Sequence, residues 1–427
     1  MKFKILFLLL TFHFLLPKSY AQQAVPYFKG ATEERRTEEY RNIINNVINK
    51  NLSLPISDST EENWEDAFWA MELVQYKSPW ADNHIRTAFD SAENRSAEFQ
   101  YSLLELAYAN YPKTFDNHVN KLLKHAKDRK SFALGVEYLW LDSFKSITQA
   151  DFEVIGNVLV TNLKYEKPDP ILKQAMSHLY FSFIADKKNK LALPNLLKKD
   201  FLPKNVLVIS FQRKDRNYPG LAIVRDTAGN FITNIDGSIF SVPQLARSVG
   251  NTPYYLTNGN TPQGLFRMDG FDVSKADYIG PTENIQLTMP FETSIKHFLK
   301  DSTITDTTWS VDLYQKLFPA EIKDSDFIFE SYYAGAAGRT EIIAHGTTVN
   351  PEYYHGKIFY PLTPTQGCLC TKEIWSNVDG KRLYSDQQKL VDAVKKAGGA
   401  DGYYLVINLD DQQKPVEIEE ILPFINK

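Results

Sequence analysis

Two separated segments hold side chains that together could perform thiol chemistry. His345 ends a short apolar run, and Cys368 directly follows the small and polar residues Thr365, Gln366 and Gly367. A cysteine with a pKa of about 8.5 is mostly protonated at neutral pH, so a nucleophilic cysteine needs a base that accepts its proton. We therefore predict Cys368 as the nucleophile and His345 as its general base, brought together by tertiary folding. A backbone carbonyl would suffice to orient the second imidazole nitrogen.

The glycine before the cysteine has a predicted role of its own. Gly367 lets the chain turn sharply and frees neighbouring N–H groups, from about Gln366 to Cys368, to point at the oxyanion of an acyl-transfer reaction. The alternative interpretation of Cys368 is a buried small hydrophobic residue. The glycine and the polar turn favour the nucleophile.

Other chemistry remains possible for the same residues. His355 lies closer in sequence to the cysteine and could be the base in place of His345, or contact a substrate. Cys368 and Cys370, with the two histidines, could bind zinc, although zinc cysteines more often have two to four residues between them, whereas these have one. The two thiols could also form a strained disulfide. Since both cysteines of the chain fall in one motif, we expect a reactive thiol rather than a disulfide that stabilises the fold. We also expect no metal or cofactor.

These motifs resemble the active-site signature of the L,D-transpeptidase catalytic domain. His-Gly-Thr at 345–347 and Thr-Gln-Gly-Cys at 365–368 match His-Gly-Thr and Ser/Thr-x-Gly-Cys of that family. Thr-Pro-Gln-Gly-Leu-Phe at 261–266 resembles its Thr-Pro-x-Gly-x-Phe element. The resemblance covers roughly residues 200–415 and does not extend to the first half of the chain.

The chain departs from the family at two places. Cys370 stands where the family usually has Arg or Asn, a position that bears on recognition of the substrate carboxylate. The interval between histidine and cysteine is longer than expected, as if 353–363 held an insertion at the rim of the cleft. The side chains expected to contact a peptide substrate are Arg339, Tyr353, Tyr354, His355, Thr365 and Gln366.

The function that the resemblance implies is cysteine-dependent acyl transfer on peptidoglycan stem peptides. Cys368 would attack the carbonyl of the third residue of a tetrapeptide and expel the terminal D-alanine, with His345 accepting the thiol proton. Transfer to an amine of a second stem would give a 3–3 crosslink, and transfer to water would make the enzyme an L,D-carboxypeptidase. An alternative from another class is a non-catalytic cell-wall-binding protein with a degenerate transpeptidase domain.

The length of 427 residues and a change in periodicity predict two domains. Helical periodicity over 22–186 predicts an all-α domain, either a bundle or an α-solenoid of helical hairpins. A lysine- and proline-rich stretch at 187–204 is predicted as a solvated linker. Short β-branched and aromatic runs over 205–427 predict a β-rich domain with a few helices, which the resemblance implies is β-sandwich-like. The helical domain is expected to position the enzyme on a protein partner or on the wall.

The first residues are typical of a secretory signal. Lys2 and Lys4 precede an apolar run at 5–16, and Ser19 and Ala21 occupy the −3 and −1 positions of a cleavage site. We predict a signal peptide over 1–21 and an exported protein, periplasmic or extracytoplasmic and soluble after cleavage. The run is shorter than the ~20 residues of a membrane span, so no permanent anchor is expected. A net charge of −4 gives no electrostatic footprint for nucleic acid.

Overall fold

The computed structural model describes residues 25–140, 169–184, 193–322 and 326–425. The predicted signal peptide, and residues 187–192 of the predicted linker, lie outside these ranges. None of the helices within them has both the length and the apolar character that crossing a bilayer requires.

The first part of the chain is helical, as predicted. A π-helical segment, Ile43–Asn49, joins the first two helices. Serine side chains cap two of the later helices, with Ser78 accepting from the N–H of Ala81 at 3.1 Å and Ser96 from that of Phe99 at 3.0 Å. The helices are α1 Glu33–Asn42, α2 Lys50–Leu52, α3 Glu61–Leu73, α4 Pro79–Ser91, α5 Ala97–Asn110, α6 Asp116–Leu123, α7 Arg129–Trp140 and α8 Pro170–Ile184.

These helices stack in a defined order. Helix α3 packs against α5, α5 against α7, and α7 against α8, while α4 packs against α6 in a second row. Trp64, Phe68 and Phe99 lie at the centre of their shared core, each at most 2% exposed. Helices that are close in the chain thus contact one another, which confirms a helical region and leaves the choice between a bundle and an α-solenoid as a prediction.

The second part of the chain is β-rich, with several short helices. Its strands are β1 Leu207–Arg213, β2 Gly220–Arg225, β3 Ser241–Gln244, β4 Gly264–Asp272, β5 Asn284–Thr288, β6 Ile343–His345, β7 Leu369–Cys370, β8 Glu373–Trp375, β9 Arg382–Ser385 and β10 Tyr403–Asp410. Its α-helices are α9 Leu193–Leu197, α10 Ile295–Leu299, α11 Val311–Gln315, α12 Glu330–Ala336, α13 Asp386–Ala397 and α14 Leu422–Ile425.

Eight of these strands form one mixed sheet in the order β3-β2-β1-β10-β4-β5-β6-β7. The pairs β1/β10 and β6/β7 are parallel, and the others are antiparallel. The two edges nearly meet, because the Leu245 and Cys370 backbones exchange N–H···O bonds of 2.8 and 2.9 Å. The domain is thus a nearly closed, barrel-like sheet rather than the two stacked sheets of the predicted sandwich, and β8 and β9 form a separate hairpin.

Alternate residues of the central strands enter two cores on opposite faces of the sheet. On β1, Val208 packs in a core that includes Leu390 and Val394 of α13, whereas Leu207 and Ile209 pack in the other. All seven residues of β1 are buried. A strand buried on both faces reads as a continuous apolar run, which is why this part of the sheet was visible in the sequence.

The predicted solvated linker does not hold for its described part. Helix α9 packs against the sheet, with Leu196 and Leu197 at 0% and 4% exposure. The buried Arg225 guanidinium then donates to the carbonyls of Lys198, at 2.5 Å, and Phe201. The lysines indicated a solvated stretch. The leucines beside them are buried against the sheet, so residues 193–204 pack as part of the β-rich region.

Candidate active site

The parallel pairing of β6 with β7 brings the two predicted catalytic segments together. Ala344 lies opposite Leu369, and His345 lies opposite Cys370. Cys368 is therefore beside the start of β6. The N–H of Ile343 donates to the Cys368 sulfur at 3.4 Å.

The turn before the nucleophile is fixed by Thr365. Its hydroxyl accepts from the N–H of Gly367 at 3.0 Å and donates to the carbonyl of Cys368 at 2.9 Å. The Gly367 N–H, predicted as an oxyanion donor, is thus already engaged within the turn. The amides of Gln366 and Cys368 remain the candidates for that role.

Gly367 is required by its backbone and by its surroundings. Its φ of +109° is rarely adopted by other residues, and an added Cβ would lie 2.0 Å from Nη2 of Arg339 and 2.5 Å from the carbonyl oxygen of Gly259. The backbone of the turn is in direct contact with the buried Arg339 guanidinium. Any larger residue would displace the turn that carries Cys368.

The upstream motif at 261–266 also reaches this turn. The hydroxyl of Thr261 donates to the carbonyl of Gly367 at 2.9 Å, and both residues are buried. The Thr261 N–H is itself bonded to the carbonyl of Ala246 at 3.0 Å, which holds the hydroxyl in place. All three motifs of the resemblance therefore meet around Cys368.

His345 is a buried imidazole that is held in one tautomer. It is 4% exposed, and its Nδ1 donates to the carbonyl of Gly346, which leaves Nε2 as the acceptor. Burial lowers the pKa of His345 to about 4. Within the described residues no hydrogen bond joins this ring to Cys368.

Opposing influences act on the Cys368 thiol. Burial raises its pKa, the N–H of Ile343 and the Arg339 guanidinium lower it, and the Glu341 carboxylate raises it. The thiol also donates weakly to the carbonyl of Glu341 at 3.7 Å. Cys368 is accordingly a protonated thiol at neutral pH.

Arg339 lies buried against the turn that precedes Cys368. It is 7% exposed, and it donates to the carbonyls of Gly259 and Asn260 at 2.6 Å each, and to that of Tyr254. A longer bond of 3.4 Å reaches the Gly367 carbonyl. The guanidinium is thus engaged with backbone carbonyls around the turn, and its predicted contact with a substrate stays a prediction.

The residues of the 353–363 segment are dispersed. His355 is on the surface with a 75% exposed side chain, 3.5 Å from the Glu352 carboxylate, and has no contact with Cys368 among the described residues. Tyr354 is 1% exposed in a small core with Phe359 and Leu362, so its ring is closed to a peptide. Tyr353 packs on Tyr40 of α1 at 5.9 Å between ring centroids. Of the predicted substrate contacts, Gln366 is the exposed residue within the turn before Cys368.

Glu373 supports the His-Gly-Thr segment and was missed by sequence reasoning. Its carboxylate accepts from the N–H of Thr347 at 3.1 Å and from the hydroxyls of Thr282 and Ser385 at 2.6 Å each. A Cβ on Gly346 would lie 2.3 Å from its carboxyl carbon. Its partners come from distant parts of the chain, so no local pattern could have indicated this support.

Neither the zinc site nor the disulfide considered for the cysteine motif is formed among the described residues. Across the described ranges, no three His, Cys, Asp or Glu side chains converge as a metal site would require. The predicted zinc set of His345, His355, Cys368 and Cys370 is therefore not assembled. Both thiols are free.

Cys370 cannot take over the role of the family's Arg or Asn. It is 0% exposed, its sulfur lies 3.8 Å from the Thr363 hydroxyl, and burial raises its pKa to about 12.

Cys370→Arg would bury an unpaired guanidinium, so we expect it to lower the free energy of unfolding by at least about 3 kcal/mol, whereas Cys370→Ala should cost less. Denaturant unfolding of both variants checks this. An arginine variant as stable as the parent would show that this position can reach solvent.

The chain matches no protein-family model, no curated protein and no solved structure. The evidence for a function is thus the convergence of the three motifs and the chemistry of the site they form.

Proposed function

We propose that this protein is an exported L,D-transpeptidase-like cysteine acyltransferase that acts on peptidoglycan stem peptides. The observation that carries the proposal is the meeting of three motifs at one thiol. Cys368 follows a turn held by Thr365, that turn is bonded to Thr261, and the adjoining strand β6 ends at His345. His345 in turn has one nitrogen fixed by a carbonyl and the other available.

The first half-reaction would form a thioester. The neutral imidazole of His345 takes the proton of the Cys368 thiol as the sulfur attacks the carbonyl of the third residue of the stem. The N–H groups of Gln366 and Cys368 would stabilise the oxyanion. The imidazolium then protonates the departing amine of D-alanine as the peptide bond breaks, which restores the neutral base.

Glu341 favours an amine over water as the acceptor in the second half-reaction. It is exposed, its backbone lies in the left-handed region at φ +63°, and its N–H is held by the Glu292 carboxylate at 2.8 Å. No ion pair to Glu341 is formed within the described residues. A carboxylate beside a thiol disfavours the thiolate, but it would attract the ammonium of an incoming stem. After the ammonium loses one proton to solvent, the neutral amine attacks the thioester carbonyl and the C–S bond breaks. His345 takes the second proton of the amine and passes it to the departing sulfur, which restores the Cys368 thiol and the neutral imidazole.

The product of the reaction separates the candidates. Purified protein incubated with a disaccharide-tetrapeptide should yield a crosslinked dimer by mass spectrometry, with Cys368→Ala as the inactive control. A tripeptide without dimer would indicate the L,D-carboxypeptidase. Unchanged tetrapeptide that nevertheless binds to the protein would support the non-catalytic cell-wall-binding protein instead.

The acidity of the two catalytic groups gives a second expected result. Since the pKa of His345 is lowered to about 4, the imidazole remains neutral above it, and the rate of acyl-enzyme formation should be flat from about pH 5 to 8 and fall near pH 4. Alkylation by iodoacetamide follows the thiolate and should instead keep rising with pH across this range, because burial raises the pKa of the Cys368 thiol above its ordinary value. Stopped-flow rates across this range check both. An alkylation plateau below pH 7 would indicate a preformed thiolate–imidazolium pair and contradict this account.

A further inference from the structure

Segment 252–260 lies between the helical region and the catalytic turn. On the helical side, Tyr101 of α5 donates to the carbonyl of Thr257 at 2.9 Å. Lys130 of α7 donates to the hydroxyl of the same residue at 2.7 Å. Two helices therefore hold one residue of this segment by both its backbone and its side chain.

The same segment is anchored in the helical core. Tyr255 and Leu256 are 2% and 0% exposed and pack among the apolar side chains of the helices. The Tyr255 hydroxyl donates to the carboxylate of Glu137 at 2.6 Å, which also lies 2.8 Å from Nδ1 of His178. A charged group buried in this way is stabilised only while its partners stay in place, so the anchor is geometrically specific.

The opposite side of the segment holds Arg339. Three of its backbone carbonyls accept from the guanidinium, and the fourth acceptor is the carbonyl of Gly367. In the described ranges no carboxylate forms an ion pair with Arg339. The carbonyls of the segment thus fix the position of the Arg339 guanidinium. The guanidinium in turn contacts the Gly367 turn and lowers the pKa of the Cys368 thiol.

We infer that the helical region is a built-in positioning element of the active site, acting on Cys368 through segment 252–260 and Arg339. Tyr101, Lys130 and Glu137 are positioning residues, because none of them has a contact with the thiol among the described residues. The inference goes beyond the proposed function, since it concerns the reactivity of the thiol toward any electrophile. It also gives the helical half a role that needs no external partner.

A double-mutant cycle on the full chain tests the link. Lys130→Met and Thr257→Val each remove the bond between these side chains. Each should slow alkylation of Cys368 by iodoacetamide about two- to tenfold and shift its pH profile upward, as Arg339 loses its fixed place. The double variant should be no slower than the singles, and Lys130→Arg should restore most of the rate. The readout needs no peptidoglycan substrate, so it stays informative if the proposed function fails.

Arg95→Met is the matched control. It removes the ion pair of Arg95 with Glu61, at 3.2 Å, which lies wholly within the helical region and does not involve segment 252–260. It should lower the melting temperature and leave the alkylation profile unchanged. If Lys130→Met does not fold, Tyr101→Phe, which removes the bond to the Thr257 carbonyl, takes its place. The inference is overturned if folded variants of Lys130 and Thr257 alkylate like the parent, if their effects simply add, or if the control slows the thiol equally.

Discussion

Cys368→Ala is expected to abolish both acyl-adduct formation and turnover, on the order of 10⁴-fold or more, because nucleophile and base act as a unit. Since Cys370 is buried with its sulfur near Thr363, it cannot replace the missing thiolate. Intact-mass spectrometry after incubation with tetrapeptide measures the adduct, and product analysis measures turnover.

Cys370→Ala is the matched control for that substitution. It removes the same group two residues away and should keep the adduct, because the Cys368 sulfur and His345 are unchanged. If Cys370→Ala lost the adduct and Cys368→Ala kept it, the nucleophile would be Cys370 and the assignment to Cys368 would be wrong. A requirement for both thiols under oxidising conditions alone would indicate a redox pair.

His345→Gln should slow acyl-enzyme formation by about 10²–10⁴-fold, the usual contribution of a general base. Glutamine keeps a polar side chain of similar length but cannot accept the thiol proton. The measurement is the single-turnover rate of adduct formation at pH 7. The residual rate should increase with pH, because hydroxide then supplies the thiolate that the imidazole no longer generates.

His355→Gln controls for the loss of an imidazole. His355 is exposed and associated with Glu352, so its replacement should leave the rate within about twofold. Equal loss in both variants would mean that the 353–363 segment moves to bring His355 into the reaction. Loss in His355→Gln alone would assign the base to that residue.

The broad division of the chain could be predicted because it depends on local periodicity. Helical spacing in the first half and β-branched runs in the second are properties of neighbouring residues. Residues 193–204 contain both lysines and leucines, and only the packing of Leu196 shows that the leucines of this stretch are buried. The near-closure of the sheet depends on β7, a strand of two residues, which leaves almost no pattern to detect.

The sequence could propose candidate reacting groups, but it could not indicate the residues that support them. Cys368 and His345 could be proposed because a thiol and an imidazole have few roles beside a glycine turn. Arg339 was expected at a substrate because it lies close in sequence to the strand that ends at His345. Its burial depends on carbonyls of segment 252–260, whose position is fixed by helices more than a hundred residues earlier in the chain. Such a support is a property of the tertiary structure alone.

Trapping the acyl-enzyme tests the central claim most directly. The full-length protein would be incubated with a disaccharide-tetrapeptide or a carbapenem, quenched in acid, and analysed by intact mass and peptide mapping. We predict a single covalent adduct on Cys368, which for the tetrapeptide has the mass of the substrate minus D-alanine. A protein that binds the stem peptide but carries no adduct on Cys368 under any of these conditions would contradict the proposal of a cysteine acyltransferase.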